Sequence, residues 1–127
     1  MKAVTASILL ADDEAGFRDL FRFAMEPLGH QVTAVGDGVL AVEAARQRHF
    51  DLVVLDHHMP RRTGLDALRE LRSLLPETPV LMLSGSADFP AELEAEALAR
   101  GARRFLFKPC ELPEIIAAVE GLLEGRP

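Results

Sequence analysis

The stretch VVLDHHMPRRTG, Val53 to Gly64, decides how the rest of the chain is interpreted. Its apolar residues Val53–Leu55 stand at consecutive positions, which is typical of a strand buried on both faces, as in a parallel sheet covered by helices. This strand runs directly into Asp56. A carboxylate at the end of a buried strand is costly unless neighbouring groups use its charge. The partners of Asp56 must therefore come from elsewhere in the chain.

Five short apolar runs alternate with five helical patterns along the chain. The predicted strands are Ser7–Ala11, Gln31–Val35, Asp51–Leu55, Pro79–Leu83 and Arg104–Phe107. The predicted helices run from Glu14 to about Met25, Asp37 to about His49, Gly64 to Leu75, Phe89 to Arg100 and Leu112 to Leu123. Five βα repeats predict a doubly wound α/β fold, with a five-stranded parallel sheet, right-handed crossovers and helices on both faces.

The first predicted helix has one apolar face and one exception to it. Helical spacing predicts an inward face made of Phe17, Leu20, Phe21, Ala24 and Leu28. Phe23 points away from that face, so we expect its ring to be exposed. Single exposed aromatic residues are common on protein surfaces, and a docking role is the alternative interpretation.

Composition limits the classes of protein that the chain can represent. Its 127 residues suit one domain, which we place at 1–127 with about 5–124 structured. The 14 basic and 20 acidic side chains give a net charge of −6. This charge argues against direct nucleic-acid binding by this domain, although a longer parent chain could carry a separate DNA-binding domain. One cysteine, Cys110, and no apolar run of about 20 residues indicate a cytoplasmic protein that does not enter membranes.

Polar side chains follow the predicted strands where each strand ends. Asp12 and Asp13 follow the first strand, Asp56 the third, Ser84 the fourth and Lys108 the fifth. The carboxyl ends of parallel strands meet at one edge of the sheet, and ligand sites of open α/β sheets form there. We therefore expect three carboxylates, one hydroxyl and one ammonium group to converge.

Three neighbouring carboxylates repel one another, and a hard divalent cation such as Mg²⁺ relieves the repulsion. A lysine and a hydroxyl suit the remaining oxygens of a phosphoryl group, whose transfer needs mainly positioning and charge neutralisation. The central carboxylate, Asp56, is then the expected nucleophile and would form an acyl phosphate. Taken singly, Asp12 and Asp13 are also consistent with a helix cap, Ser84 with a turn and Lys108 with a surface residue.

Over nearly its whole length the chain resembles the receiver domains of two-component response regulators. The resemblance depends on five elements in the right order and spacing: LLADDE (Leu9–Glu14), LDHHMP (Leu55–Pro60), TG (Thr63, Gly64), MLSGS (Met82–Ser86) and GARRFLFKP (Gly101–Pro109). It implies the flavodoxin-like strand order 2-1-3-4-5.

The resemblance also implies roles for the residues at the sheet edge. Asp56 accepts a phosphoryl group from a histidine kinase or a histidine phosphotransfer protein. Mg²⁺, or Mn²⁺ in its place, is held by Asp12, Asp13, Asp56 and the backbone carbonyl of His58. Lys108 bonds to the phosphoryl group. The domain is then a phosphoacceptor switch with self-catalysed transfer and dephosphorylation, and not a metabolic enzyme.

Other residues receive switching and rate-tuning roles from the resemblance. Ser84 moves toward the phosphoryl group, and Phe105 is the switch aromatic that changes rotamer, although plain core packing is its alternative role. The response appears on the fourth helix, fifth strand and fifth helix (about 89–123), where we expect homodimerisation, partner binding or control of an output domain. His58 and Ser86 border the phosphoryl group and are expected to tune its lifetime.

Three rival interpretations remain. An aspartate-nucleophile phosphatase of the haloacid-dehalogenase type also uses a carboxylate after a strand, but it needs a second aspartate where this chain has His58. A receiver used only as a docking module would not be phosphorylated. A zinc site at His57 and His58 is not expected, because adjacent strand residues point to opposite sides unless the backbone is irregular.

Overall fold

The computed structural model describes residues 5–85 and 90–125 of the chain. Its strands are β1 (Ser7–Ala11), β2 (Gln31–Val35), β3 (Leu52–Asp56), β4 (Val80–Ser84) and β5 (Arg104–Phe107). Its α-helices are α1 (Ala15–Met25), α2 (Gly38–Gln47), α3 (Gly64–Leu74), α4 (Pro90–Ala99) and α5 (Leu112–Glu124). A short 3-10 helix, Glu26–Leu28, follows α1. Within the described residues, no helix is both long and apolar enough to span a membrane.

The five strands form one parallel sheet in the order β2-β1-β3-β4-β5. This order confirms the predicted doubly wound architecture. One core cluster joins the sheet to α1 and α5, through residues such as Phe21 and Val119. The other joins it to α2, α3 and α4, through residues such as Val42, Leu68 and Ala97. Strand β2 lies on one side of β1, and β3 lies on the other side. The strand order therefore reverses direction at β1, which leaves a crevice at the carboxyl ends of β1 and β3.

Several element bounds differ from the predictions. Strands β3 and β4 begin and end one residue later than expected, so Asp56 and Ser84 are the last residues of their strands and not the first residues after them. Helix α2 ends at Gln47, earlier than the predicted end at about His49. Asp56 and Ser84 therefore lie in the buried part of the sheet edge.

The prediction for the inner face of α1 is wrong at two of its five positions. Phe21 and Met25, one turn apart, are fully buried, whereas Leu20 is 45% exposed and Leu28 is 39% exposed. Leu28 lies beyond α1 in the 3-10 helix, where the chain has left the helical period that the spacing assumed. Phe23, at 76% exposure, lies on the outer face as expected.

Candidate functional site

Strand register brings the first and third strand ends together. Ala11 pairs with Leu55, so Asp12 and Asp56 each lie one residue beyond that pair. One carboxylate oxygen from each of Asp12, Asp13 and Asp56 lies within 4.8 Å of the others. Asp12 and Asp56 are buried and Asp13 is exposed, so the cluster opens to solvent on one side. The predicted convergence of three carboxylates is therefore present in the structure.

Lys108 reaches into this cluster from the loop after β5. Its Nζ donates a hydrogen bond to Asp12 Oδ2 at 2.6 Å and lies 3.7 Å from Asp56 Oδ1. Glu14 Oε1 is also 3.7 Å from Nζ, and the ring centroid of Phe17 is 4.3 Å away. Burial lowers the pKa of Lys108, but the hydrogen bond to Asp12 and the surrounding carboxylates outweigh this effect and raise the pKa above its usual value. The lysine is therefore held in its charged form.

Asp12 is fixed by backbone bonds as well as by the lysine. Its Oδ1 accepts the Glu14 N–H at 2.9 Å, and its own N–H donates to the Val35 carbonyl at 3.1 Å. Arg18 Nη1 donates to the Asp12 carbonyl at 2.7 Å. The alternative role of Asp12 and Asp13 as a helix cap is only partly supported. The N-cap residue of α1 is Glu14, and its side chain makes no capping hydrogen bond.

The surroundings of Asp56 disfavour its charged form. Burial, opposed by Lys108 and reinforced by the charges of Asp12 and Asp13, raises the pKa of Asp56 from 3.8 to about 7. Lys108 thus offsets only part of the cost of the Asp56 charge, and burial is the largest part of that cost. This donor set, all oxygen and partly open to water, fits a divalent cation such as Mg²⁺, which keeps several waters and takes few carboxylates.

Ser84 and Phe105 lie on the two strands beside Asp56. Asp56 pairs with Leu83, which places Ser84 one residue further along β4. Ser84 is buried, and its carbonyl accepts the Lys108 N–H at 2.9 Å, which ties the lysine loop to β4. Phe105 is 6% exposed, and its ring centroid lies 5.0 Å from that of Phe107. This burial agrees with both interpretations of Phe105, the switch and the core residue.

The residues after Asp56 leave the strand at once, and this corrects one sequence argument. The rings of His57 and His58 do not point to opposite sides but pack edge to face, with centroids 5.2 Å apart. Burial and the neighbouring His58 lower the pKa of His57. Among residues 5–85 and 90–125, the one metal-capable group of His, Cys, Asp and Glu is the three-aspartate cluster. His58 itself is exposed, and Ser86 lies outside the described residues.

Gly64 has a role that the sequence did not reveal beyond its place in the TG pair. A Cβ at this position would lie 2.5 Å from the Asp56 carbonyl oxygen and 2.8 Å from the Cα of His57. The Gly64 N–H donates to the His57 carbonyl at 2.9 Å, and Thr63 caps α3 by accepting the Asp66 N–H at 3.3 Å. The start of α3 therefore lies directly against the backbone of Asp56 and His57.

A groove of about 410 Å³ opens beside the cluster. Its walls come from the start of α1 and from the loops after β4 and β5. The lining residues are Glu14, Phe17, Leu20, Gly85, Lys108, Pro109 and Cys110. The peptide bond between Lys108 and Pro109 is cis. Burial and Glu114 raise the pKa of Cys110, so its thiol is protonated at neutral pH. The groove thus joins apolar side chains to a charged end at Lys108.

Residues 8–120 match the family model of the response regulator receiver domain. The response regulator protein PmrA of Pseudomonas aeruginosa is 44% identical over 118 residues, which cover 91% of this chain and 51% of PmrA. The chain thus spans about half the length of this curated relative. It belongs to the receiver domain family of two-component response regulators.

Solved structures agree with this assignment. A CheY-like receiver domain protein from Methanospirillum hungatei has a TM-score of 0.89 at 21% identity, covering 95% of both chains, and so supports the fold. The receiver domain of the sensor histidine kinase PA1611 from Pseudomonas aeruginosa has a TM-score of 0.83 at 25% identity, covering 96% of this chain and all of that one. That structure was solved with a magnesium ion coordinated in its active-site cleft.

Proposed function

We propose that this domain is a phosphorylation switch in which Asp56 accepts a phosphoryl group from the phosphohistidine of a kinase or phosphotransfer protein. The observation that carries the proposal is the convergence of Asp12, Asp13 and Asp56 around the charged end of Lys108. These four groups come from the ends of three strands, β1, β3 and β5, and together they supply a nucleophile, a cation site and a counter-charge.

The transfer itself is a displacement at phosphorus. An Asp56 carboxylate oxygen attacks the phosphorus atom, the bond from phosphorus to the donor imidazole nitrogen breaks, and its electron pair stays on that nitrogen. Lys108 Nζ, 3.7 Å from Asp56 Oδ1, is placed to pair with an oxygen of the transferred group. Hydrolysis of the acyl phosphate by water later restores the carboxylate. We propose that the domain turns over only its own phosphoryl group, and that it acts as a switch and not as a metabolic enzyme.

The residues that would hold the cation are Asp12, Asp13, Asp56 and the backbone carbonyl of His58. A bound Mg²⁺, or Mn²⁺ in its place, supplies charge neutralisation at the phosphoryl oxygens. It also favours the ionised form of Asp56, whose pKa of about 7 otherwise leaves part of the population protonated at neutral pH. The magnesium ion in the similar PA1611 receiver domain supports this assignment.

The readout is proposed to follow from Ser84 and Phe105. Ser84 lies at the end of β4, and Phe105 lies buried on β5 between α4 and the sheet. A phosphoryl group on Asp56 would draw the Ser84 hydroxyl toward it and favour a different packing of Phe105. The surface formed by α4, β5 and α5 would then change its affinity for a second copy, a partner or an output domain.

The donor protein is expected at the groove beside α1, in the cytoplasm, where receiver domains meet their kinases. Phe17 and Leu20 line this groove, and Phe23 extends the apolar surface along α1 at 76% exposure. His58 is exposed next to the acceptor, so its side chain is proposed, with Ser86, to control how readily water reaches the acyl phosphate. Replacing His58 should change the lifetime of the phosphorylated form and leave its formation largely intact.

The test is phosphorylation by acetyl phosphate with Mg²⁺, followed by intact mass. We expect one phosphoryl group per chain in the wild type, and none in Asp56→Asn or after chelation of the metal. The matched control is Asp51→Asn, at the other end of β3, which should take up one group. Absence of uptake in the wild type, together with no response to beryllofluoride, would contradict the proposal and leave a docking module.

A further inference from the structure

The loop between β3 and α3 contains a strained turn centred on Arg61. The Arg62 N–H donates to the Pro60 carbonyl at 2.7 Å, which closes a three-residue turn centred on Arg61. Arg61 has φ of 67°, a left-handed conformation that residues with a side chain rarely adopt. Three-residue turns with positive φ at the centre are the rare, strained form. Such backbone persists where its surroundings hold it in place.

The side chain of Arg61 makes some of the contacts that keep the turn in this conformation. Its Nε and Nη2 donate to Asp37 Oδ2 at 3.0 and 2.7 Å. The other oxygen of Asp37, Oδ1, accepts the Leu40 N–H at 2.8 Å and caps α2. Burial raises the pKa of Asp37, but the bonds from Leu40 and Arg61 outweigh it and lower the pKa, so the carboxylate stays charged. One aspartate therefore joins the start of α2 to the strained turn.

A second contact seats the same turn on α2. A Cβ at Gly38 would lie 2.7 Å from the Arg62 carbonyl oxygen and 3.0 Å from the Arg62 Cβ. The backbone of the turn thus approaches the first residue of α2 as closely as a glycine permits. Asp37 and Gly38 therefore begin helix α2 and also contact the turn at Arg61 and Arg62.

The turn lies between the acceptor residue and the start of α3. The loop is closed at its base by the bond from the Gly64 N–H to the His57 carbonyl at 2.9 Å. His58 and the buried Met59 connect that base to the turn at Pro60. The backbone at His58 is therefore fixed on one side by the end of β3 and on the other by the strained turn.

We propose that the Arg61–Asp37 ion pair positions the metal site: it holds the strained turn and, through it, the backbone carbonyl of His58 where a divalent cation needs it. The inference rests on the proposed function, since it assigns that carbonyl to the cation. Arg61 and Asp37 are positioning residues, because neither side chain reaches the three-aspartate cluster in the described contacts.

The test is Mg²⁺ affinity, measured by titrating the ¹⁵N-labelled protein and following its amide signals. Arg61→Ala should weaken Mg²⁺ binding by about tenfold, the lower end of the effect that loss of an outer partner of a metal ligand has. Asp37→Asn should weaken Mg²⁺ binding by a similar factor, because a neutral amide pairs poorly with Arg61. Its amide oxygen can still accept the Leu40 N–H, so the cap of α2 is kept. The double variant should bind no worse than either single one, since both remove the same interaction.

Arg61→Gly separates the ion pair from the strain. Glycine adopts φ of 67° freely, so this variant should lose less Mg²⁺ affinity than Arg61→Ala. Hydrogen exchange of the Arg62 amide in the metal-free protein reports on the turn directly. Its protection should fall in Arg61→Ala and fall less in Arg61→Gly. Neither change is expected of a residue that only adds surface charge.

Arg62→Ala is the matched control, because it removes the neighbouring ion pair to Glu70 and leaves Arg61 bonded to Asp37. It should bind Mg²⁺ like the wild type. The inference is overturned if Arg61→Ala keeps wild-type affinity, or if Arg62→Ala loses as much. In either case phosphoryl uptake by the wild type would still support the proposed function. A wild-type protein that neither binds Mg²⁺ nor takes up phosphoryl overturns both proposals.

Discussion

Two aspartates lie at opposite ends of strand β3, and their surroundings treat the carboxylate charge differently. Asp51 precedes the strand, accepts the Ser7 N–H at 2.8 Å and returns its own N–H to the Ser7 carbonyl at 2.7 Å. Asp56 ends the strand beside Asp12 and Asp13, with its pKa raised to about 7. The first aspartate extends the pairing between β1 and β3, whereas the second carries charge that its neighbours do not fully offset.

The difference follows from what meets each end of the sheet. At the amino end, polar side chains bond to backbone groups; the Thr78 hydroxyl, for example, donates to the Phe50 carbonyl at 2.8 Å. At the carboxyl end, successive parallel strands deliver charged side chains to the same crevice. The polar groups at the amino end are therefore satisfied by neighbouring backbone groups, whereas the charge of Asp56 at the carboxyl end remains costly. In the proposed function, a cation and a phosphoryl group would bind there.

The largest effect that tests this comparison is the pH dependence of stability. The pKa of Asp56 is raised from 3.8 when unfolded to about 7 when folded, so the folded state binds more protons between these values. The contribution of Asp56 to the free energy of unfolding of the metal-free protein should therefore fall as pH rises from about 4 to 8. Asp56→Asn removes this fall, and at pH 8 we expect it to be about 2–4 kcal/mol more stable than the wild type.

Urea denaturation followed by circular dichroism measures this effect, since the chain has no tryptophan or tyrosine for intrinsic fluorescence. Comparing the two proteins at pH 5 and pH 8 with a chelator cancels the contribution of the histidines. Mg²⁺ should restore much of the wild-type stability at pH 8. Equal stability of the wild type and Asp56→Asn at both pH values would show that ionised Asp56 does not destabilise the folded protein.

The next effect concerns the backbone at the same two ends. The backbone of Asp51 donates a hydrogen bond to the neighbouring strand β1 at Ser7. The backbone of Asp56 instead packs against Gly64, where a Cβ would lie 2.5 Å from the Asp56 carbonyl oxygen. Gly64→Ala should therefore lower the free energy of unfolding by about 2–3 kcal/mol, because the obstructing atoms belong to the main chain.

Gly16→Ala is the matched control for this substitution, because a Cβ there meets nothing within 4 Å and the residue lies inside α1. It should raise the free energy of unfolding by about 0.5–1 kcal/mol through helix propensity. Thermal and urea unfolding of both variants distinguish the two cases. If Gly64→Ala were as stable as the wild type, the start of α3 would not be packed tightly against the Asp56 backbone.

The sequence predicted the architecture because hydrophobic period and chain order determine it. Consecutive apolar residues such as Val53–Leu55 indicated buried parallel strands, and the βα alternation then placed Asp12, Asp56 and Lys108 at one edge. That part of the site depends only on which residue stands at or directly after the end of each strand, and the sequence alone shows this.

Other parts of the site depend on contacts that one sequence does not reveal. The pair Arg61–Asp37 joins residues 24 positions apart through a backbone conformation that no local pattern announces. Leu20 has the helical spacing of a core residue, but Phe21 and Met25 fill the space beneath α1 and leave it exposed. His57 and His58 were treated as strand residues, and the strand ends one residue before them.

The smallest effect is expected at the amino end. Asp51→Asn keeps an oxygen that can accept the Ser7 N–H, so it replaces a charge-assisted hydrogen bond by a neutral one. We expect a loss of about 0.5–1 kcal/mol in the free energy of unfolding, and the same dependence on pH and Mg²⁺ as in the wild type. Urea denaturation with and without the cation measures both quantities. A change in the Mg²⁺ response of this variant would mean that the two ends of β3 are coupled and that the contrast between them is incomplete.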